Sequence, residues 1–315
     1  MKNKILLFLS VVLCLLFVLS FKKTGKTDEY IIKVPRTISS IPLLELNGKK
    51  IAGKKIKVEY FQDHIIAMAE FMQGKTDILM TGFTQGLANY YGNKDVVLAA
   101  CSVWGVSRLI TGDRSIQSLE DMTGKTILVP FAKSPLDLQL RAILKSSGLE
   151  DKITIGYAVP QQAVPMLITG KADAICVPEP LASKLIISGK AHNVFNFADK
   201  WAEVSGGEKR SPQVSIFVKK DFSESNKKQL EKIIAAVDSQ IALIKKDPSM
   251  VSEKYKADFN LPAAVLSSGL ANTLMEIPGY NDSKKLCLDY LEILNYNNDQ
   301  SGRKIEDSFF FRYRK

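Results

Sequence analysis

Short apolar runs bounded by turn residues recur along the chain, at 30–34, 56–61, 78–81, 96–101, 126–130, 154–157, 173–177 and 214–218. Each has the length and the Val/Ile/Leu content of a strand. Between several of them the apolar spacing changes to that of a helix. Over 135–147, Leu136, Leu140, Ile143 and Leu144 share one face, and Gly148 follows as a C-terminal stop. This helix also carries a full set of start signals: Ser134 as N-cap, Pro135 at the first helical position and Asp137 three residues after the cap. A longer helix over 226–246 aligns Leu230, Ile233, Ile234, Val237, Ile241 and Ile244, and Asp247-Pro248 ends it. Strands alternating with helices predict an α/β fold with mostly parallel sheets.

Two internal similarities refine that prediction. Gly74-Lys75-Thr76-Asp77-Ile78-Leu79-Met80 stands 96 residues before Gly170-Lys171-Ala172-Asp173-Ala174-Ile175-Cys176. Each copy follows an amphipathic stretch and runs into a turn, Thr81-Gly82-Phe83-Thr84 in one and Pro178-Glu179-Pro180 in the other. A second pair, Gly53–Val58 and Gly124–Val129, is 71 residues apart. In each case a glycine can close a helix or turn in the left-handed conformation before the chain enters a strand. Two similar α/β lobes are therefore expected. Ligands of open α/β sheets lie beyond the carboxyl ends of the strands, so the two post-strand turns should face each other across a cleft.

At the amino end, Lys2 and Lys4 precede an apolar run over 5–21, and Lys22 and Lys23 follow it. This pattern reads as a secretory leader of residues 1–20, with Val18 and Ser20 placed for a cut after Ser20. Its rivals are an uncleaved anchor, since 17 apolar residues just reach a bilayer span, and lipidation of Cys14, which bulky Leu13 disfavours. No second long apolar run exists in the sequence, so the mature chain is expected to be soluble and exported. With 315 residues the chain is long enough for two domains and buries enough surface to fold without disulfide or metal staples. Four cysteines exclude a disulfide scaffold, and Cys101, Cys176 and Cys287 read as small buried hydrophobes. Two histidines, His64 and His192, with no CxxC or HxxxH, argue against a zinc site. No cofactor is expected. The net charge of +10 is +8 once the leader is removed with its two lysines. This suits attraction of anions, but without a basic stripe interleaved with aromatics nucleic-acid binding is not expected.

The segments just quoted resemble the nitrate/sulfonate/thiamine-precursor group of ABC-transporter solute-binding proteins. The resemblance also rests on Ser118-Leu119-Glu120-Asp121-Met122-Thr123-Gly124-Lys125, Ser134 opening a helix, Gly148-Leu149, Val159-Pro160 before a short helix, and Glu179-Pro180. It covers roughly residues 30–260, and the order of the motifs is more specific than any one of them. It implies the two-lobed periplasmic-binding-protein fold of type 2, with lobe I formed by 21–107 and 212–315 and lobe II by 108–211, joined by crossover strands. The chain departs from the family at the loop after the second-lobe strand, where Lys133-Ser134 replaces the usual Gly-Ser. That lysine either favours an anion or is simply solvated.

Candidate ligand-binding residues follow from strand ends. Thr37 and Ser39, with Ser40, follow the first strand and either bind ligand or cap the loop. Arg36 beside them is the natural partner of an anion in the first lobe. Thr81, Phe83 and Thr84 follow the repeated strand. Phe61 and Trp104 fall at other strand ends, where an aromatic can stack on a planar ring or pack in the core. Ser134 opens a helix whose free N–H groups and dipole suit an anion or carbonyl. Asp137 is explained by capping, and Glu179 is held between two prolines. The expected function is capture of a small organic solute, a planar heterocycle or organic anion, by a monomeric, non-catalytic protein that serves an ABC permease and ATPase. The alternative is an enzyme of thiamine-pyrimidine or menaquinone-precursor synthesis on the same scaffold, against which the missing cysteine-rich iron motif and export both argue; a sensor module is a third option. Phe309-Phe310-Phe311, with Arg312, Arg314 and Lys315, is expected to dock on the body, the alternative being contact with a membrane or permease, and 295–303 to be an exposed turn or loose segment.

Overall fold

The computed structural model describes residues 28–296 and 304–313. The expected leader, with Cys14 and the Ser20 cut, and the stretch 297–303 lie outside them. The chain forms β1 (Glu29–Pro35), α1 (Ile41–Leu44), β2 (Lys50–Ile51), β3 (Lys54–Phe61), α2 (His64–Met72), β4 (Ile78–Gly82), α3 (Phe83–Asn93) and β5 (Val96–Gly105). It then crosses into β6 (Ser107–Thr111), β7 (Thr126–Val129), α4 (Pro135–Ser146), β8 (Thr154–Tyr157), α5 (Pro160–Ile168), β9 (Ala174–Pro178), α6 (Leu181–Ile187), β10 (His192–Asn196) and α7 (Phe197–Val204). It returns through β11 (Val214–Lys219), α8 (Lys220–Ser225), α9 (Lys227–Lys246), α10 (Pro248–Phe259), α11 (Ala263–Ala271), β12 (Leu274–Met275) and α12 (Tyr280–Ile293).

Two sheets result, a seven-stranded one in the order β12-β5-β11-β4-β1-β3-β2 and a five-stranded one in the order β10-β6-β9-β7-β8. This is the two-lobed α/β fold. The sheets are mixed rather than mostly parallel. β1 runs parallel to β3 and β4, and β7 to β8 and β9. The pairs β11–β4, β11–β5, β6–β9 and β6–β10 are antiparallel. The cause is the double crossing between sheets. Only Val106 separates β5 from β6, so the chain changes sheet without a helix, and β11 comes back between β4 and β5 in the opposite sense. Strands β6 and β10, half polar in sequence, and the two-residue strands β2 and β12 carry too little apolar signal to be read in advance.

One internal similarity is structural. The order β4-β1-β3 in the first sheet matches β9-β7-β8 in the second. In both copies the glycine is left-handed, Gly74 with φ +74° and Gly170 with φ +70°. In both, the aspartate then reaches the neighbouring strand: Asp77 accepts from the Ile31 N–H at 2.7 Å, and Asp173 from the Thr126 N–H at 2.9 Å. The repeated Gly-Lys-x-Asp thus welds a helix end to the middle strand of each matching three-strand unit. The other pair is not equivalent, because Gly53 leads into β3 while Gly124 leads into β7, the counterpart of β1.

The first sheet is covered on both faces. Leu230, Ile234, Val237 and Ile241 of α9 pack with Ile32, Val34 and Ile216 on one side. Phe71, Phe83, Trp104, Phe217 and Tyr290 fill the other. Phe309 and Phe310 join this second layer and Phe311 and Tyr313 the first, and the Phe311 N–H donates to the Leu98 carbonyl at 2.9 Å, so the aromatic tail docks on the body. In the smaller sheet, α4 lays Leu136, Leu140, Ile143 and Leu144 against Ile127 and Val129. All three described cysteines are buried and free, and burial pushes the Cys101 thiol up to about 12, so they pack and do not react. The lobes also touch outside the crossovers: Trp201 of α7 lies 5.3 Å from Tyr290 in the first lobe's core, and Ser183 and Ser268 hydroxyls meet at 2.9 Å.

Candidate functional site

The carboxyl ends of β1 and β4 face those of β7 and β9 across a cleft of about 480 Å³. Val106 and Val214, at the two crossovers, also line it. The first-sheet wall carries Pro35, Thr37, Ser39, His64, Thr81, Gly82, Thr84 and Gln85; the second carries Phe131, Ala132, Lys133, Ser134, Pro135, Pro178 and Glu179.

On the first wall the chain turns sharply after β1. The Thr37 N–H donates to the Pro35 carbonyl at 2.9 Å, and the Ser40 hydroxyl takes the same carbonyl at 2.5 Å. Ser40 is therefore a loop-capping residue. Thr37 Oγ1, by contrast, is buried with no hydrogen-bond partner among the described residues. Asp63 caps α2 by accepting from the Ile65 and Ile66 N–H groups at 2.7 and 3.0 Å, which places His64 at the cleft lip. His64 Nδ1 lies 3.0 Å from Thr81 Oγ1, and the Thr81 hydroxyl donates to Gln85 Oε1 at 2.6 Å. Partial burial pushes the His64 pKa below its usual value, with Asp63 opposing the shift.

On the second wall, the Ser134 hydroxyl accepts from the Asp137 N–H at 3.2 Å, the cap expected from sequence. Asp137 does not return the bond to its cap. Its Oδ2 accepts from the Lys133 N–H at 2.6 Å, and its Oδ1 meets Arg141 Nε at 3.1 Å. This holds Lys133 in a left-handed conformation, φ +59°. Glu179 is buried, pairs with Arg108 at 2.8 Å and accepts from the Ser183 N–H at 3.0 Å. Burial raises its pKa, and the Ser183 N–H and Arg108 counteract that.

Thr37, Ser39, Thr81, Thr84, Ser134 and Glu179 thus come together as expected from their strand ends, while four other candidates do not. Arg36 points outward, donating from Nε to the Asp258 carbonyl at 3.1 Å with its guanidinium over Tyr60. Phe61 ends β3 inside the core and meets His64 edge-on at 4.9 Å. Phe83, first residue of α3, turns inward against Tyr290. Trp104 belongs to β5, buried on both faces, and gives its indole N–H to the Glu276 carbonyl at 3.0 Å. In each case partners away from the cleft hold the side chain. Sequence reasoning missed His64, Gln85 and Phe131. The first had a legible signal: Asp63-His64 follows a strand end with an N-cap residue, as Ser134 does.

Among the described residues no three His, Cys, Asp or Glu side chains gather to hold a metal, and no helix is long and apolar enough to cross a membrane. No curated protein matches the chain by sequence. Solved structures match it closely in shape. An ABC transporter protein of Parabacteroides distasonis superposes with a TM-score of 0.75 at 16% identity, over 90% of this chain and 98% of that one. The periplasmic aliphatic sulphonate binding protein of Escherichia coli gives 0.71 at 18% identity, over 89% and 95%. The periplasmic nitrate-binding protein of Synechocystis gives 0.66 at 12%, over 90% and 84%. These likenesses establish the fold. The profile of the NMT1-like family matches residues 52–248, from β3 to the start of α10, which takes in the second wall of the cleft and His64, Thr81, Gly82, Thr84 and Gln85 of the first, and the chain belongs to that family.

Proposed function

We propose that the protein is the solute-binding component of an ABC importer, working outside the cytoplasmic membrane. A small organic solute, a planar heterocycle or an organic anion, is held between the lobes and passed to a permease driven by its ATPase. The observation that carries this reading is Thr37 Oγ1, a buried hydroxyl on the cleft wall that none of the described residues satisfies. Such a group is costly unless something else bonds it. A solute bonded to Thr37, Ser39, Thr81 and Thr84 on one side and to Ser134 on the other would bridge the two sheets. The relatives of known structure include binding proteins for a sulphonate and for nitrate, which supports the transport reading. Catalysis is not part of the proposal. The described cysteines are buried in the cores, and the Glu179 carboxylate is engaged by Arg108 and the Ser183 N–H.

The lobes are proposed to close about the crossovers at Val106 and 205–213, since a ligand touching both walls favours the closed state by the contacts it gains there. Native mass spectrometry of the monomer should show a bound small molecule. Calorimetry against heterocycles, aromatic acids and sulfonates should then find binding, and small-angle scattering a smaller radius at saturation. Binding confined to oligopeptides or sugars, or an unchanged radius at saturation, would count against this function.

A further inference from the structure

We propose that a fixed chain of hydrogen bonds from Gly82 through Gln85 and Thr81 to His64 leaves an imidazole Nε2 lone pair and a carboxamide NH2 on two cleft-lining residues, selecting a neutral solute that offers them an N–H donor and an acceptor. This rests on the binding-protein reading and narrows it to amide-, urea- or amino-heterocycle-like chemistry.

The polarity follows step by step. The Gly82 backbone N–H points at one end of the Gln85 amide, 3.3 Å away. A backbone N–H can only donate, so that end is the oxygen and the NH2 faces the other way. The Thr81 hydroxyl lies 2.6 Å from the same oxygen, which cannot donate, so the hydroxyl's single proton is spent there. Thr81 Oγ1 can then only accept. His64 Nδ1, 3.0 Å from it, must be the donor. A neutral imidazole protonated on Nδ1 has a free lone pair on Nε2. His64 and Gln85 both line the cleft.

The surroundings favour the neutral ring. Phe61 from β3 offers an edge, and Thr81 and Gln85 from β4 and α3 are uncharged. Asp63, on the same helix end, is turned to the Ile65 and Ile66 N–H groups. Across the cleft stand Lys133 at the rim and Glu179, paired with Arg108. Partial burial lowers the pKa of His64 from its usual 6.5. The acceptor is therefore fully present above that usual value and is lost as the pH falls through the lower folded one. The imidazolium that replaces it would instead favour an anion.

The chain has only two histidines, so nitrogen-15 imidazole spectra contain two rings, and His64→Gln or His192→Gln each leaves one. At about pH 8, well above the histidine range, His64 should carry its proton on Nδ1. Thr81→Val, which removes the acceptor at similar volume, should release that tautomer. Acetamide at high concentration should shift the Nε2 resonance, while N,N-dimethylacetamide and acetate should not. A proton on Nε2 in the parent, a response to acetate alone, or a response to none of the three would overturn the proposal. None of these readouts needs the transported solute. If they come out as expected but the protein captures no small molecule, the transport reading falls and the polarity stands. If a solute is captured, its affinity should drop at least about threefold on acidification through the histidine range. Tighter binding in acid would overturn the polarity and leave transport intact.

Discussion

On the first-sheet wall, Thr81, Gln85 and His64 hold one another in a line of hydrogen bonds, backed by the buried rings of Phe61, Phe83 and Phe217. Across the cleft, loop 131–134 hangs on a single buried carboxylate, Asp137, and leaves Phe131 59% exposed. The first wall inherits its geometry from a core that would exist without a ligand. The second is a short loop before a helix end, with few contacts beyond its pin. Selection by donor and acceptor pattern belongs on the wall that cannot move, because small errors of placement cost a hydrogen bond. Clamping belongs on the wall that can.

The broadest structural effect should come from breaking the support of the first wall, because a whole helix is displaced. A Cβ at Gly86 would lie 2.1 Å from Phe217 Cζ, so Gly86→Ala must push α3 off β11 and carry Thr84 and Gln85 with it. Overpacking of this kind costs about 1–3 kcal/mol, and urea unfolding should show it together with weaker solute binding. Gly92→Ala is the control. Nothing lies within 4 Å of its Cβ, so it should be neutral or stabilising. Equal losses at the two positions would mean that the wall does not depend on the fit of α3 against Phe217.

Breaking the second wall needs only Asp137. Replacing it by Ala strips the Lys133 N–H and Arg141 of their partner and should cost about 1.5–3 kcal/mol in thermal unfolding. Asp137→Asn, which keeps one acceptor, should recover part of that. If Asp137→Ala leaves both stability and affinity unchanged, the loop is held by something else.

A smaller effect is expected at Ser134. Loss of its cap to the Asp137 N–H should lower stability by about 1 kcal/mol. A lost bond to a charged group of the solute is worth about 1.5–3 kcal/mol and one to a neutral group about 0.5–1.5 kcal/mol, so Ser134→Ala should weaken binding of an anion at least roughly tenfold and of a neutral solute by about two- to tenfold. Lys133→Ala should matter less unless the solute is an anion. A Ser134→Ala protein that binds like its parent would reduce this helix end to capping alone.

The same contrast explains what could be read from sequence. Periodicity placed α4 and α9 to within a residue, because amphipathic spacing and end signals agree there. It placed Thr37, Thr81 and Ser134 at the cleft because small polar residues after an apolar strand have few other uses. It misplaced Phe61, Phe83 and Trp104 because a strand end does not reveal which side of the wall an aromatic takes. That depends on distant partners, Tyr290 for Phe83 and the Glu276 carbonyl for Trp104, which lie more than 150 residues away in the chain. The sheets' antiparallel strands were hidden for a similar reason. The direction of β11 is set by a crossing of the whole second lobe, and its local pattern is that of any buried strand.

The smallest change in stability, and the sharpest test of the clamp, is at Phe131. Its ring is largely exposed at the cleft rim, so truncation removes little buried surface, and Phe131→Ala should unfold within about 0.5 kcal/mol of the parent. If the lobe closes over a solute, however, that ring becomes buried. Burying the still exposed part of this Phe side chain is worth about 1–2 kcal/mol, so the same substitution should lower affinity by roughly five- to thirtyfold. Phe131→Leu separates area from shape, since leucine covers apolar surface but has no flat face. Recovery by leucine would mean that the ring simply excludes water, whereas loss with both would mean that it stacks on a planar solute. Calorimetry on the three proteins decides between these. Parent-like affinity in Phe131→Ala would show that the second wall grips the solute only through the end of α4.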